Sequence, residues 1–132
     1  MIAALLTLIL LTPQSTGTVA LPDTPQGKRV SAYLQAFNAG DEKGFMAMQD
    51  AQVKSELLQK RTSAERSAMF KRMKGDFGTL TVARVVKASD TEIVLLVPNK
   101  EGIEATFTFR FDTAAPHQIA GIAVEIDRGP GL

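Results

Sequence analysis

The hydrophobic positions divide the chain into an apolar start, a helical half and a strand half. Residues 2–11 are apolar except for one threonine. Over residues 30–77 the apolar side chains recur at intervals of three and four, which is the period of amphipathic helices. From residue 80 onward they alternate with polar side chains or form short continuous runs, as in β-strands. Helices followed by strands predict an α+β domain with the helices on one face of a sheet.

About three helices are predicted. Either Asp23 or Thr24 can cap the start of the first helix. Gly40 is expected to end it, because glycine readily adopts the left-handed conformation found after a helix. The apolar face of this helix consists of Val30, Tyr33, Leu34 and Phe37.

The second helix follows the capping residue Asp41, and the third begins with the capping-box pattern of residues 62–65. Residues 57–58 between them can form a further helical turn. Gly75 and Gly78 are expected to end the third helix. The apolar side chains predicted on the inner sides of these helices are Phe45, Met48, Val53, Met69, Phe70 and Met73.

Four strands of an antiparallel sheet are predicted over residues 80–86, 91–97, 103–111 and 117–126. The third strand alternates strictly, which is typical of a half-buried strand. In the fourth strand the apolar phase shifts by one position at residues 120–121, which predicts a β-bulge. The inward side of the third strand carries no ionisable group and consists of Ile103, Ala105, Phe107, Phe109 and Phe111.

The apolar start predicts a secretory signal peptide. The run is about half as long as the ~20 residues that a membrane-spanning helix needs. Pro13 follows it, and Thr18 and Ala20 supply small residues at the −3 and −1 positions of a signal-peptidase site. No lysine or arginine precedes Lys28, so the usual positive charge is missing. We therefore expect a periplasmic or secreted protein after cleavage near Ala20, and the alternative is an apolar N-terminus on a cytosolic protein.

The composition is that of one soluble globular domain. The chain has 132 residues and no cysteine, which excludes disulfides, thiol catalysis and thiolate metal sites. A net charge of +1 favours no nucleic-acid partner. The predicted organisation is a signal peptide over residues 1–20, a linker over 21–27, the domain over 28–127 and a tail over 128–132. No membrane span is expected after cleavage.

Two short motifs resemble those of one protein family. Residues 37–41, Phe-Asn-Ala-Gly-Asp, are similar to the turn between the first two helices of nuclear-transport-factor-2-like (SnoaL-like, cystatin-like) domains. Residues 116–122, Pro-His-Gln-Ile-Ala-Gly-Ile, resemble the closing strand of one branch, an accessory domain fused to exported serine β-lactamase-like hydrolases and peptidases. The resemblance spans residues 24–126. It implies a cone-shaped fold, in which a curved four-stranded sheet holds the helices in its concave face and often leaves an apolar cavity.

This resemblance leaves catalysis and binding both open, because the family includes isomerases, dehydratases, cyclases and non-catalytic binders. Its catalytic members place an Asp or an Asp–His pair in the cavity, and the predicted inward faces show no such pair. His117 and Tyr33 are the candidates for an acid–base role, with a surface role and a core role as their respective alternatives. Asn38 and Asp41 are explained by capping. No Ser-x-x-Lys motif of the fused hydrolases is present.

The predicted function is binding by an exported, non-catalytic domain whose cavity takes a small apolar molecule. Methionine side chains suit such a cavity because they adapt to varied shapes, although the same spacing also fits a plain core. The alternatives are a small enzyme of the isomerase, dehydratase or cyclase type that uses the cavity, and a dimeric structural or interaction module. An exported protein and a second copy of the chain are the other candidate partners, and neither a cofactor nor a metal ion is predicted. The candidate ligand-binding residues are Tyr33, Phe37, Met48, Met69, Met73, Phe107, Phe109 and His117.

Charge is distributed unevenly along the chain. Residues 54–74 carry seven basic and two acidic side chains, whereas residues 89–127 carry seven acidic and two basic ones. The basic segment is expected to be either a solvated helix face or a surface for an anionic partner. Because no aromatic side chains are interleaved with the basic ones, the segment does not indicate single-stranded nucleic-acid binding.

Overall fold

The computed structural model describes residues 19–126. Its elements are α1 (Pro25–Ala39), α2 (Glu42–Gln52), α3 (Ser55–Leu58), α4 (Ser63–Phe77), β1 (Arg84–Ala88), β2 (Glu92–Pro98), β3 (Glu104–Phe111) and β4 (Ile119–Ile126). The predicted signal peptide up to residue 18 and the predicted tail lie outside the described residues.

The α+β prediction is confirmed. The four strands form one antiparallel sheet in the order β1-β2-β3-β4, and the apolar faces of the helices pack against one side of it. The described chain contains four helices, because the segment around residues 57–58 forms the single-turn helix α3. The sheet curls at two register shifts, one within β1 and one in β4 opposite Phe111.

Of the two predicted caps of the first helix, Thr24 is the one that the structure shows. It accepts a hydrogen bond from the backbone N–H of Gly27, and Pro25 is the first residue of the helix. The predicted linker over residues 21–27 is therefore too long by three residues. A side chain at Gly27 would collide with the carbonyl group of Pro22, so glycine at this position lets the N-terminal segment lie against α1.

Helix α4 has the predicted capping box, in which Thr62 and Glu65 bind each other's backbone N–H. The prediction that Gly75 ends this helix is wrong, because the helix continues to Phe77 and its C-cap is Gly78. An interior glycine costs only about 1 kcal/mol of helix stability. The ring of Phe77 is buried, with its centroid 5.4 Å from that of Phe107 on β3, and this packing favours the final turn.

The first strand starts four residues later than predicted. Leu80 and Val82 are buried, but they precede β1. The reason is that the side chain of Asn38 satisfies the backbone of Leu80: it accepts from the Leu80 N–H at 2.7 Å and donates to the Leu80 carbonyl at 3.0 Å. The prediction that Asn38 has a capping role is wrong, because Asn38 lies inside α1 and the left-handed C-cap is Gly40. The side chain of Asn38 instead joins α1 to the segment that leads into β1. Asp41 caps α2, as predicted.

The other strands differ from prediction mainly at their ends. β3 begins at Glu104, leaving Ile103 exposed, and β4 begins at Ile119 instead of His117. The predicted bulge in β4 is confirmed: Arg110 pairs with Gly121 and Phe111 with Ile119, which leaves Ala120 as the extra residue.

Candidate ligand pocket

A pocket of about 600 Å³ lies between the helices and the inner face of β4. We call it the α4–β4 pocket. Its volume falls within the range of ~300–1,000 Å³ that is typical of small-molecule sites. Its lining consists of Tyr33, Phe37, Phe45, Gln49, Val53, Leu57, Leu58, Lys60, Arg61, Glu65, Arg66, Met69, Phe70, Met73, Ile122 and Val124.

The pairing of β3 with β4 explains why the pocket exists. Phe109 pairs with Ile122 and Phe107 with Val124, and directly paired residues project from the same face of a sheet. Ile122 and Val124 therefore lie on the side that carries the helices. The helices bury Phe107 completely, but they leave Val124 36% exposed. The helical layer thus ends before it covers the second half of β4.

Rigid aromatic packing forms the deep wall of the pocket. The ring centroids of Phe45 and Phe70 are 4.7 Å apart, and those of Tyr33 and Phe45 are 5.3 Å apart. Phe37 packs edge-on against Phe70 at 5.6 Å. Leucine side chains from α3 and methionine side chains from α4 complete the apolar lining. The pocket therefore has a fixed aromatic wall and an adaptable wall of flexible side chains.

The mouth of the pocket carries three cationic side chains: Lys60, Arg61 and Arg66. Arg66 is the most enclosed, with 16% of its side chain exposed. Its Nη1 donates to Oε1 of Gln49 at 3.1 Å and lies 4.0 Å from a carboxylate oxygen of Asp50. The Nε of Arg66 is buried, and no group within residues 19–126 accepts a hydrogen bond from it.

The carboxylate of Glu65 also lines the pocket, but the capping box holds it. It accepts from the backbone N–H of Thr62 at 3.0 Å, and this hydrogen bond is the main reason that its pKa is lowered. Glu65 is thus an anion with an established structural partner. It balances only part of the positive charge at the mouth.

The ionisable side chains of the pocket are poorly suited to general acid–base catalysis. Burial raises the pKa of the Tyr33 hydroxyl to about 12, far from neutrality. The lowered pKa of Glu65 makes its carboxylate a weak base. The other ionisable groups that line the pocket are the three cationic side chains. A general acid or base works best with a pKa near the operating pH, and neither Tyr33 nor Glu65 has one.

The structure brings four of the eight predicted ligand-binding residues to this pocket: Tyr33, Phe37, Met69 and Met73. The other four lie elsewhere. Phe107 and Phe109 are completely buried between the sheet and the helices, and Met48 is buried on α2. These three side chains belong to the core, which is the alternative that helical or alternating spacing cannot distinguish from a pocket wall.

His117 also lies outside the pocket lining. It is part of the connection between β3 and β4 and has a positive φ of 59°. Its Nδ1 is 3.0 Å from the carbonyl oxygen of Asp112, and its backbone N–H donates to the carbonyl of Ala114. The contacts of His117 within the described chain are therefore those of a loop-closing residue.

Sequence reasoning missed the cationic mouth and the contribution of β4. The excess of basic residues over positions 54–74 was the available signal, but it did not show which side chains would reach a cavity. Only Lys60, Arg61 and Arg66 of that group line the pocket. Ile122 and Val124 looked like ordinary inward positions of a strand, and nothing local indicated that the helices leave them partly open.

A second cavity of about 570 Å³ lies beside α1, between the N-terminal segment and residues 80–82. No group of three or more His, Asp or Glu side chains between residues 19 and 126 is arranged to hold a metal ion. None of the helices over the same residues is long and apolar enough to cross a bilayer. Comparison with known proteins finds no matching family model, no matching curated protein and no matching solved structure.

Proposed function

We propose that this protein is an exported, non-catalytic binding domain that takes an apolar small molecule in the α4–β4 pocket. The observation that carries the proposal is the apolar lining of this pocket beside partly uncovered Ile122 and Val124. Apolar surface that remains open to water is stabilised by burial against an apolar ligand. The pKa values of Tyr33 and Glu65 support binding over acid–base catalysis.

Export and the nuclear-transport-factor-2-like assignment are parts of the same proposal. The order of helices and strands supports that resemblance. Export rests on the apolar run and the small residues before Leu21. Leu21 itself packs against the core, so the segment that follows the proposed cleavage site is attached to the domain. Mass spectrometry of the protein recovered from its natural host should find Leu21 as the first residue, and an intact leader on the mature protein would contradict export by this route.

The binding proposal can be tested by filling the pocket. Val124→Trp adds bulk at a partly exposed position of the lining, so it should block the cavity without disturbing the buried core. Val86→Trp is the matched control, because Val86 is also exposed on a strand but does not line the pocket.

The neutral apolar dye N-phenyl-1-naphthylamine is a suitable probe, excited beyond the absorption of tryptophan. We expect saturable binding by the wild-type protein, about tenfold weaker binding by Val124→Trp, and unchanged binding by Val86→Trp. Displacing two methylene groups of ligand from the pocket is enough for a change of that size. Absence of binding by the wild-type protein, or equal binding by Val124→Trp, would overturn the proposal.

A further inference from the structure

We infer that the ligand of the α4–β4 pocket is a single-chain anionic amphiphile, with its hydrocarbon chain inside and its acidic head group at Arg66. This inference rests on the proposed function, since it names the class of molecule that the pocket binds. It comes from the position of the charges: three cationic side chains lie at the mouth of a cavity whose interior is aromatic and aliphatic.

The chain geometry places cationic and apolar side chains next to each other at this mouth. After α3, the backbone N–H of Lys60 donates to the carbonyl of Leu57, and that of Arg61 donates to the carbonyl of Leu58. This turn keeps both cations beside the leucines of the apolar wall. The Nη1 of Arg61 lies 2.7 Å from the sulfur of Met69 on α4. A ligand that enters here meets positive charge and hydrocarbon within one side-chain length.

Arg66 is the best-positioned of the three for holding a head group. Its bond to Gln49 fixes the guanidinium, so less side-chain entropy is lost when an anion binds. Asp50 competes weakly, because its carboxylate is mostly exposed and lies at 4.0 Å. The part of the Arg66 side chain that remains exposed, 16%, is available to a ligand, and the planar fork of a guanidinium suits a carboxylate.

The charge balance favours an anion over a neutral or cationic ligand. Glu65 is the acidic side chain of the lining, and its carboxylate is held by Thr62. A cationic head group would therefore face three like charges with no free carboxylate among the lining residues. A neutral molecule would leave the charges at the mouth without a partner from the ligand.

The experiment compares three molecules with the same hydrocarbon chain: dodecanoate, dodecan-1-ol and dodecyltrimethylammonium. The two ionic molecules are kept below their critical micelle concentrations, and the alcohol is kept below its solubility limit. Binding is measured by titration calorimetry. The fluorescence of Tyr33 shows whether the molecule binds in the pocket, because Tyr33 lines the pocket. It is the only tyrosine of a chain that has no tryptophan. We expect dodecanoate to bind about tenfold or more tightly than dodecan-1-ol, and this preference should shrink as salt is added. Dodecyltrimethylammonium should bind most weakly.

The variants are Arg66→Gln and Lys71→Gln. Lys71 lies on the same helix and is exposed, but it does not line the pocket, so its substitution removes the same charge elsewhere. Arg66→Gln should lose the preference for dodecanoate and keep the affinity for dodecan-1-ol, whereas Lys71→Gln should change neither. If Arg66→Gln fails to fold by circular dichroism, the double variant Lys60→Gln, Arg61→Gln replaces it and should show a smaller loss of the same preference.

Equal binding of dodecanoate and dodecan-1-ol, or a preference unaffected by Arg66→Gln, would overturn the head-group inference and leave the proposed binding function standing. Tightest binding of the cationic amphiphile would do the same. Binding of none of the three, together with no binding of the neutral dye, would overturn both proposals.

Discussion

The inner faces of β3 and β4 are alike in sequence but unlike in structure. On β3, the residues from Ala105 to Phe111 that face the helices are almost entirely buried. On β4, Ile119 is completely buried, but Val124 and Ile126 are 36% and 38% exposed. Both strands alternate apolar residues on the same side of one sheet. The difference shows that alternation identifies a face, whereas the neighbouring helices decide whether that face becomes core or pocket wall.

The difference has a visible cause in the helical layer. Tyr33 of α1 packs on Phe109, and Phe77 of α4 packs on Phe107, so long helices cover β3. The helix that packs near β4 in the described chain is α3, which has four residues. The helical layer reaches β4 at Ile119. There Val53 forms a parallel β-bridge with Ile119, and the backbone N–H of Lys54 donates to the carbonyl of Ile119. Beyond this point β4 borders the pocket.

The largest expected effect on stability is at β3, the strand that the helices cover. Phe107→Ala removes a completely buried ring and leaves a cavity between β3 and α4. It should lower the free energy of unfolding by about 3–5 kcal/mol. Urea denaturation followed by circular dichroism measures this change. A loss below about 1 kcal/mol would show that the covered side is as loosely packed as the β4 side.

A matched pair of valines sharpens the comparison. Val97→Ala on β2 deletes the same atoms as Val124→Ala on β4, but Val97 is fully buried. We expect about 2 kcal/mol of destabilisation for Val97→Ala, and no more than about 0.5 kcal/mol for Val124→Ala. The two urea denaturation midpoints test this directly. Equal losses would mean that the open half of β4 is covered in solution.

Asn38→Ala tests how the helical layer is attached. The substitution removes both hydrogen bonds to the backbone of Leu80 and leaves the buried Leu80 residue without those partners. We expect a loss of about 1–2 kcal/mol. Hydrogen exchange should show faster exchange of the Leu80 amide than in the wild-type protein. Unchanged protection of that amide would indicate that another group accepts its hydrogen.

The smallest expected effect on stability comes from an ion pair between the segment before α3 and the end of β3. In this pair, Nζ of Lys54 is 3.0 Å from Oδ2 of Asp112. The hydrogen bond between these two side chains lowers the pKa of the Asp112 carboxyl group and raises the pKa of the Lys54 ammonium group. The Asp112 contribution to stability is therefore present above its unfolded pKa of about 3.9 and is lost as the pH falls through the folded value. The Lys54 contribution is present below its unfolded pKa of about 10.4 and is lost as the pH rises through its folded value.

Thermal unfolding at a series of pH values measures this contribution. Asp112→Asn should flatten the acid side of the stability curve slightly, because the substituted residue no longer takes up a proton there. Glu101→Gln, in the exposed loop between β2 and β3, is the control and should leave the shape of that curve unchanged. An acid limb that is identical in Asp112→Asn and the wild-type protein would show that the pair contributes nothing measurable.

Sequence reasoning predicted most of the fold, but only four of the sixteen residues that line the candidate site. The cap at Asp41, the box at residues 62–65 and the bulge in β4 depend on neighbours within a few residues, and all three were predicted correctly. The start of β1 was predicted wrongly because it depends on Asn38, 42 residues away from Leu80. Arg66 was not predicted to line the pocket for the same reason, since Gln49 of α2 helps to position its side chain.

The sequence by itself determined the order of helices and strands, the faces that avoid water and the places where helices begin. These properties arise from backbone preferences and from the period of the apolar side chains, which act over one or two turns of the chain. The tertiary structure decided how far the helices reach across the sheet. Because the helical cover ends near Ile119, the same apolar pattern became closed core at β3 and an open pocket at β4, beside which three cationic side chains of the basic segment lie.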